Sequence, residues 1–116
     1  MRQIKFRAWD KEFNKMFDWS ELLKFAPTLK AFFENEDIVK MQYTGLVDKN
    51  GREIYEGDII EMLGDYSKYI IVFDDCGFCL AVLHGRIVES LFDGVGELTV
   101  IGNIYENPEL LRGDIE

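Results

Sequence analysis

Cys76-Gly77-Phe78-Cys79 has the spacing of a redox or metal-binding pair. A redox pair needs its first thiol at a helix N-terminus or beside a cation, where the thiolate is favoured. Here Asp74 and Asp75 precede the motif, and Leu80-Ala81-Val82-Leu83 after it is strand-like. Both features raise the thiol pKa. A structural zinc site needs four ligands, and the chain offers two cysteines and one histidine, His84. The pair reads as two small residues in a hairpin, and as free thiols in a reducing compartment. His84 would need a nucleophile to activate. Ser67 and Ser90 sit in no nucleophile turn, so His84 reads as a surface or sheet-edge residue.

Glu53, Glu56, Asp58 and Glu61 cluster around Gly57. Paired carboxylates serve glycoside hydrolysis or hold a hard cation. A calcium loop alternates oxygen ligands, but Ile54 and Tyr55 stand where ligands should fall. The cluster reads as a solvated turn before a buried strand. No phosphate-binding glycine loop and no zinc-protease signature is present. No catalytic residue, metal site or cofactor is predicted.

Lys5, Arg7 and Trp9 alternate with Phe6 and Ala8. On a strand, alternate residues share a face, so Trp9 lies with the two cations and Phe6 lies opposite. A basic and aromatic face of this kind can stack bases. Lys5 and Arg7 are the candidate anion contacts, though a half-buried core strand explains the same pattern.

These residues must be positioned by short elements. Ile4 to Trp9 and Lys15-Met16-Phe17 flank a polar turn and predict an N-terminal hairpin. Asp18 with Glu21 predicts a capping box. Helical spacing follows over 19–34, broken at Pro27, which predicts one or two short helices. From Ile38 onward, short apolar runs are separated by Asp48-Lys49-Asn50-Gly51, Glu56-Gly57-Asp58, Gly64-Asp65, Asp74 to Gly77, and Gly85, Gly94 and Gly96. Expected strands are Ile38 to Thr44, Arg52 to Tyr55, Ile59 to Leu63, Lys68 to Phe73, Phe78 to Val82, Ile87-Val88 and Leu98 to Tyr105. The fold class is mainly β with minor α, as a small β-barrel or a strongly bent antiparallel sheet. One domain over 1–116 is expected: hairpin and helical insert 1–38, barrel-like part 39–107 and tail 108–116.

The chain has 116 residues, 47% of them hydrophobic, which supports a core without staples. No apolar run approaches the length of a membrane span, and the N-terminus has no signal-peptide pattern. A cytoplasmic protein that does not enter the membrane is expected. The net charge of −9 is uneven. Residues 1–52 hold ten Lys/Arg and eight Asp/Glu, whereas 53–116 hold three and fourteen. A phosphate backbone would be repelled by the second half.

Three segments resemble the YopX family of phage and prophage proteins. They are Ile4-Lys5-Phe6-Arg7-Ala8-Trp9-Asp10, then Met41 to Leu46 with Asp48-Lys49-Asn50-Gly51 and Glu53 to Ile59, and finally Val100 to Leu110. The resemblance implies phage association, a bacterial host and a barrel-containing fold, and it carries no catalytic residue across. Much of the shared pattern is turns and aromatics. In the matched segments Asp58 and Asn103 are suited to accept backbone N–H bonds at turns. Trp9, Tyr43, Tyr55, Asp58 and Tyr105 are the candidate interaction surface; the tyrosines either pack the fold or line one groove. The expected role is that of a non-enzymatic accessory protein binding a host or phage protein, or itself as a homo-oligomer. The alternative is a nucleic-acid-binding barrel that uses the more basic first half.

Overall fold

A computed structural model describes residues 4–25, 34–62, 65–74, 77–82, 87–90 and 98–114. The expected hairpin forms from β1 (Phe6–Asp10) and β2 (Lys15–Phe17), with Ala8 opposite Phe17 and Trp9 opposite Met16. Asp10 Oδ1 accepts the N–H groups of Glu12 and Phe13 and so closes the turn. The capping box also forms. Asp18 Oδ1 accepts from Glu21 N at 2.9 Å, and Glu21 Oε1 accepts from Asp18 N at 3.1 Å, which satisfies two donors at the start of α1 (Trp19–Phe25). The second helix expected from Pro27 lies outside the described residues.

The remaining strands are β3 (Ile38–Val47), β4 (Glu53–Tyr55), β5 (Asp58–Met62), β6 (Asp65–Asp74), β7 (Gly77–Ala81), β8 (Ile87–Ser90) and β9 (Leu98–Asn103). A 3-10 helix, Pro108–Asp114, follows. They build two antiparallel sheets, ordered β2-β1-β3-β4 and β8-β7-β6-β5-β9, the second curled as a half-barrel. The fold is mainly β, as the spacing of turn residues implied. Of the two expected forms, the bent sheet is realised: β8 and β9 are opposite edges of their ladder. Asp65 opens β6 opposite Met62 where a break was expected. β9 stops at Asn103, short of Tyr105, because the Asn103 side chain diverts the backbone. Its Oδ1 accepts the N–H groups of Tyr105 and Glu106 at 3.0 and 2.8 Å.

The larger core lies in the half-barrel and joins Ile54, Ile60, Ile71, Phe78, Leu80, Leu98 and Val100. The smaller joins Ala8 and Leu22, with Phe6, Phe17, Trp19 and Ile38 around them. α1 therefore covers the Phe6 and Ala8 face of β1, leaving Lys5, Arg7 and Trp9 to the other face. Cys79 is buried in β7 and its Sγ faces Gly77 O at 3.6 Å, which fits a packing role. Cys76 and His84 lie outside the described residues.

Asp48 bolts the two sheets together. It sits in the turn between β3 and β4, where Gly51 takes the positive φ of 83° that this tight hairpin requires. Asp48 Oδ1 accepts from Asn50 N and Arg52 N at 2.8 and 2.9 Å, and Oδ2 reaches Val100 N on β9 at 2.9 Å. Lys49 N also donates to Leu98 O. Burial pushes the Asp48 carboxyl up, but the three N–H bonds and the nearby Arg52 charge outweigh it and hold the pKa low. Asp48→Ala leaves the buried Val100 N–H without its acceptor and should cost about 1–3 kcal/mol at neutral pH. Because the folded-state pKa is depressed, this contribution is complete above the unfolded pKa and is lost as pH falls through the folded one. Urea titrations at pH 7 and pH 3 should show the gap between wild type and variant narrowing in acid.

Candidate functional site

Lys5, just before β1, and Arg7 and Trp9 within it lie along one face, and each meets an aromatic ring from a different element. Lys5 Nζ lies over the Tyr43 ring at 4.9 Å from its centroid, and Arg7 Cζ lies over the Tyr55 ring at 4.8 Å. Trp9 stacks on Tyr105, with centroids 5.9 Å apart and an interplanar angle of 24°. Tyr43 and Tyr55 are direct cross-strand partners in β3 and β4, with rings 5.4 Å apart. Of the candidate surface and anion-contact residues, Lys5, Arg7, Tyr43 and Tyr55 form one connected set, and Trp9 with Tyr105 forms a stacked pair beside it. The alternation of β1 was the legible signal, and it placed the cations and Trp9 together correctly.

Arg7 and Asp58 form the centre. Arg7 Nη2 donates to Asp58 Oδ1 at 2.7 Å and to Glu56 O at 3.2 Å. Their side chains are 12% and 1% exposed. Asp58 Oδ2 accepts from Tyr55 N at 2.8 Å, so both carboxylate oxygens are used. Arg7 Nε is buried with no hydrogen-bond acceptor among the described residues. Burial pushes the Asp58 carboxyl up, and the Arg7 charge and the Tyr55 N–H draw it partly back.

The acids around Gly57 are not a solvated turn. Glu53 pairs with Lys5 and accepts from the Tyr55 hydroxyl at 3.3 Å. Glu56 is half-buried, and its Oε1 accepts from Gln42 N at 2.9 Å. Burial raises its pKa and that N–H opposes the rise. Tyr55 and Tyr105 are both held in the phenol form, chiefly by burial, with Glu53 and Glu56 respectively adding to it. Sequence reading missed Glu53 and Glu56 as members of this network because a turn's acids normally face water. Lys5 and Gln42, which draw them in, are 14 or more residues away along the chain.

Gly57 is the point where the two sheets meet. Its φ is +83° and its N–H donates to Ile71 O, while its carbonyl accepts from Ile104 N, both at 2.9 Å. A Cβ there would lie 3.2 Å from Met41 Sδ, so a side chain is disfavoured by conformation and by space. Two clefts flank this junction. One, of about 300 Å³, is lined by Arg7, Met16, Asp18, Arg52, Glu53 and Tyr55. The other, also about 300 Å³, runs between β3 and β6 over Glu56 and Gly57, with Tyr105 at its edge. Among the described residues no group of three or more His, Cys, Asp or Glu is arranged to hold a metal.

Lys5 pairs with Glu53 and Arg7 with Asp58, so these charges hold the two sheets together. Removing one member of a buried pair strands the other and costs about 3–5 kcal/mol, whereas replacing both with apolar residues costs far less. Asp58→Ala and Arg7→Ala should each destabilise by that amount. Arg7→Met with Asp58→Leu should lose less than the sum of the two single changes, as read from denaturant midpoints. Glu56→Gln keeps an acceptor for Gln42 N and removes a charge whose folded-state pKa is raised. Stability from the protonated form is complete at low pH and lost as pH rises through the folded pKa. The variant should therefore gain on wild type between pH 4 and pH 7 in thermal unfolding.

Comparison with known proteins agrees with this frame. No curated protein matches the chain. The crystal structure of protein EF1440 from Enterococcus faecalis is similar at 29% identity, with a TM-score of 0.61, covering 96% of this chain and 99% of that one. The crystal structure of YopX from Bacillus subtilis has a similar fold, with a TM-score of 0.59 at 20% identity, covering 96% of this chain and 97% of that one. The family model described as YopX protein matches residues 25–112. With most of its length matched, and with the hairpin, turn and aromatic segments assembled into one junction, the chain belongs to the YopX family.

Proposed function

We propose that this protein is a non-enzymatic accessory protein of a phage or prophage that acts in the host cytoplasm by binding another protein. One observation carries the reading. The residues able to do chemistry are consumed internally, as Lys5 with Glu53 and Arg7 with Asp58, while large apolar side chains remain at the surface. Phe13 is 72% exposed and Phe73 is 58% exposed. Exposed apolar groups beside an otherwise satisfied scaffold fit an interaction surface better than a reaction centre. Self-association is a second form of the same behaviour, since β2, β4, β8 and β9 end their sheets and edge strands invite pairing.

Nucleic-acid binding draws less support. Both candidate anion contacts are neutralised by carboxylates, and the net charge of −9 opposes a phosphate backbone. Affinity purification of the tagged chain from phage-infected and uninfected host cells should recover a reproducible protein partner. Recovery of none in either state overturns the reading. A gel-shift with single- and double-stranded DNA and RNA at about 50 mM salt, where electrostatic binding is strong, should show no complex. A shifted band there would favour nucleic acid instead.

A further inference from the structure

At the seam between the two sheets, the end of β6 has a strand partner on one side only among the described residues, while the 3-10 helix Pro108–Asp114 also packs against β6. β5 begins at Asp58, and its last pair with β6 is Ile59 with Ile70. Gly57 N then bonds Ile71 O. Beyond that point, Val72, Phe73 and Asp74 pair with β7 on one side, and no described strand pairs with them on the other. The Ile71 carbonyl points toward this open side, so by strand alternation the Phe73 N–H and C=O point there too. The cleft that this edge overlooks is walled opposite by Val39 and Met41, closed by Ile104 and Tyr105, and floored by Glu56 and Gly57.

We infer that this cleft is a docking site for an extended segment of a partner protein that adds a short strand to β6 and places a lysine or arginine against Glu56. This deepens the protein-binding reading and rests on it. Charge complementarity selects the occupant. Glu56 is a half-buried carboxylate in a largely apolar cleft, and among the described residues no cation lies within ion-pair distance of it. Among the described residues its carboxylate accepts a hydrogen bond from Gln42 N. Lys40, also on the cleft wall, donates to Asn35 O. A basic side chain entering the cleft would supply the charge and lay its aliphatic stem along Met41 and Ile104. The exposed ring of Phe73, which packs edge-on against Phe78 at 4.9 Å, would be covered by the same strand. Main-chain bonds would give affinity, and the Glu56 contact would give specificity, as in other strand additions. The protein's strong acidity further favours a basic partner.

The test is selection from a displayed random heptapeptide library on the purified protein, followed by titration of synthesised winners. Winners should carry Lys or Arg flanked by apolar residues at alternate positions. Their amide shift changes should fall on Val72 to Asp74 and on Glu56 and Gly57. Glu56→Gln, which keeps its backbone acceptor, should weaken them at least fivefold. Phe73→Pro, which removes the open-edge N–H and leaves the bonds to β7 in place, should weaken them at least tenfold. No enrichment, winners without basic bias, or affinities indifferent to Glu56→Gln would overturn the site. Concentration-dependent dimerisation abolished by Phe73→Pro would also overturn it, in favour of a second copy as occupant. A cellular partner recovered equally by wild type and Glu56→Gln removes this cleft and leaves the protein-binding function standing.

Discussion

The Arg7–Asp58 ion pair is the constraint on which the junction depends. Arg7 comes from β1 in the first sheet, and Asp58 opens β5 in the second. A buried pair of this kind gains little net energy, because desolvation offsets most of the Coulomb attraction. Its value is geometric. Asp58 must accept from Tyr55 N and from Arg7 together, and Arg7 must also reach Glu56 O. The turn at Glu56 and Gly57 therefore has one conformation, which fixes how the sheets meet. Arg7 Nε, which has no acceptor among the described residues, marks the cost.

The same junction explains the aromatic pattern. Each β1 cation or ring on the inner face has an aromatic partner from β3, β4 or the segment after β9. Stacking over tyrosine keeps the guanidinium and ammonium groups partly desolvated without leaving them unpaired. Asp48 makes a second bolt between turn and β9, and Asn103 a third, by turning the chain so that Tyr105 reaches Trp9. At Gly102 a Cβ would fall 2.6 Å from Asn107 Oδ1, so this close return of the chain needs glycine there. The segments that carry the resemblance to the YopX family are thus parts that join the two sheets.

Strand termination shapes the edge of the sheet. Because β5 starts late and β4 ends early, β6 outruns its neighbour. The ladder is complete where the ion pair and Gly57 organise it, and just beyond no described strand continues it. Structural rigidity and an available edge arise from one feature, the two-residue turn between β4 and β5.

Sequence alone determined what depends on local physics. Period-two alternation identified β1 and set its faces, Asp18 with Glu21 marked the start of α1, and Asn50-Gly51 marked a tight hairpin. Asn103 was legible as a loop tie because asparagine bonds its own neighbouring backbone. Tertiary structure decided everything that needed long-range pairing. That the half-barrel stays open and that Glu53 and Glu56 join a network follow from neighbours many residues away. The acids and cations with suitable chemistry are near one another, and they are spent on holding two sheets together, because burial forces each charge to find a partner inside the protein.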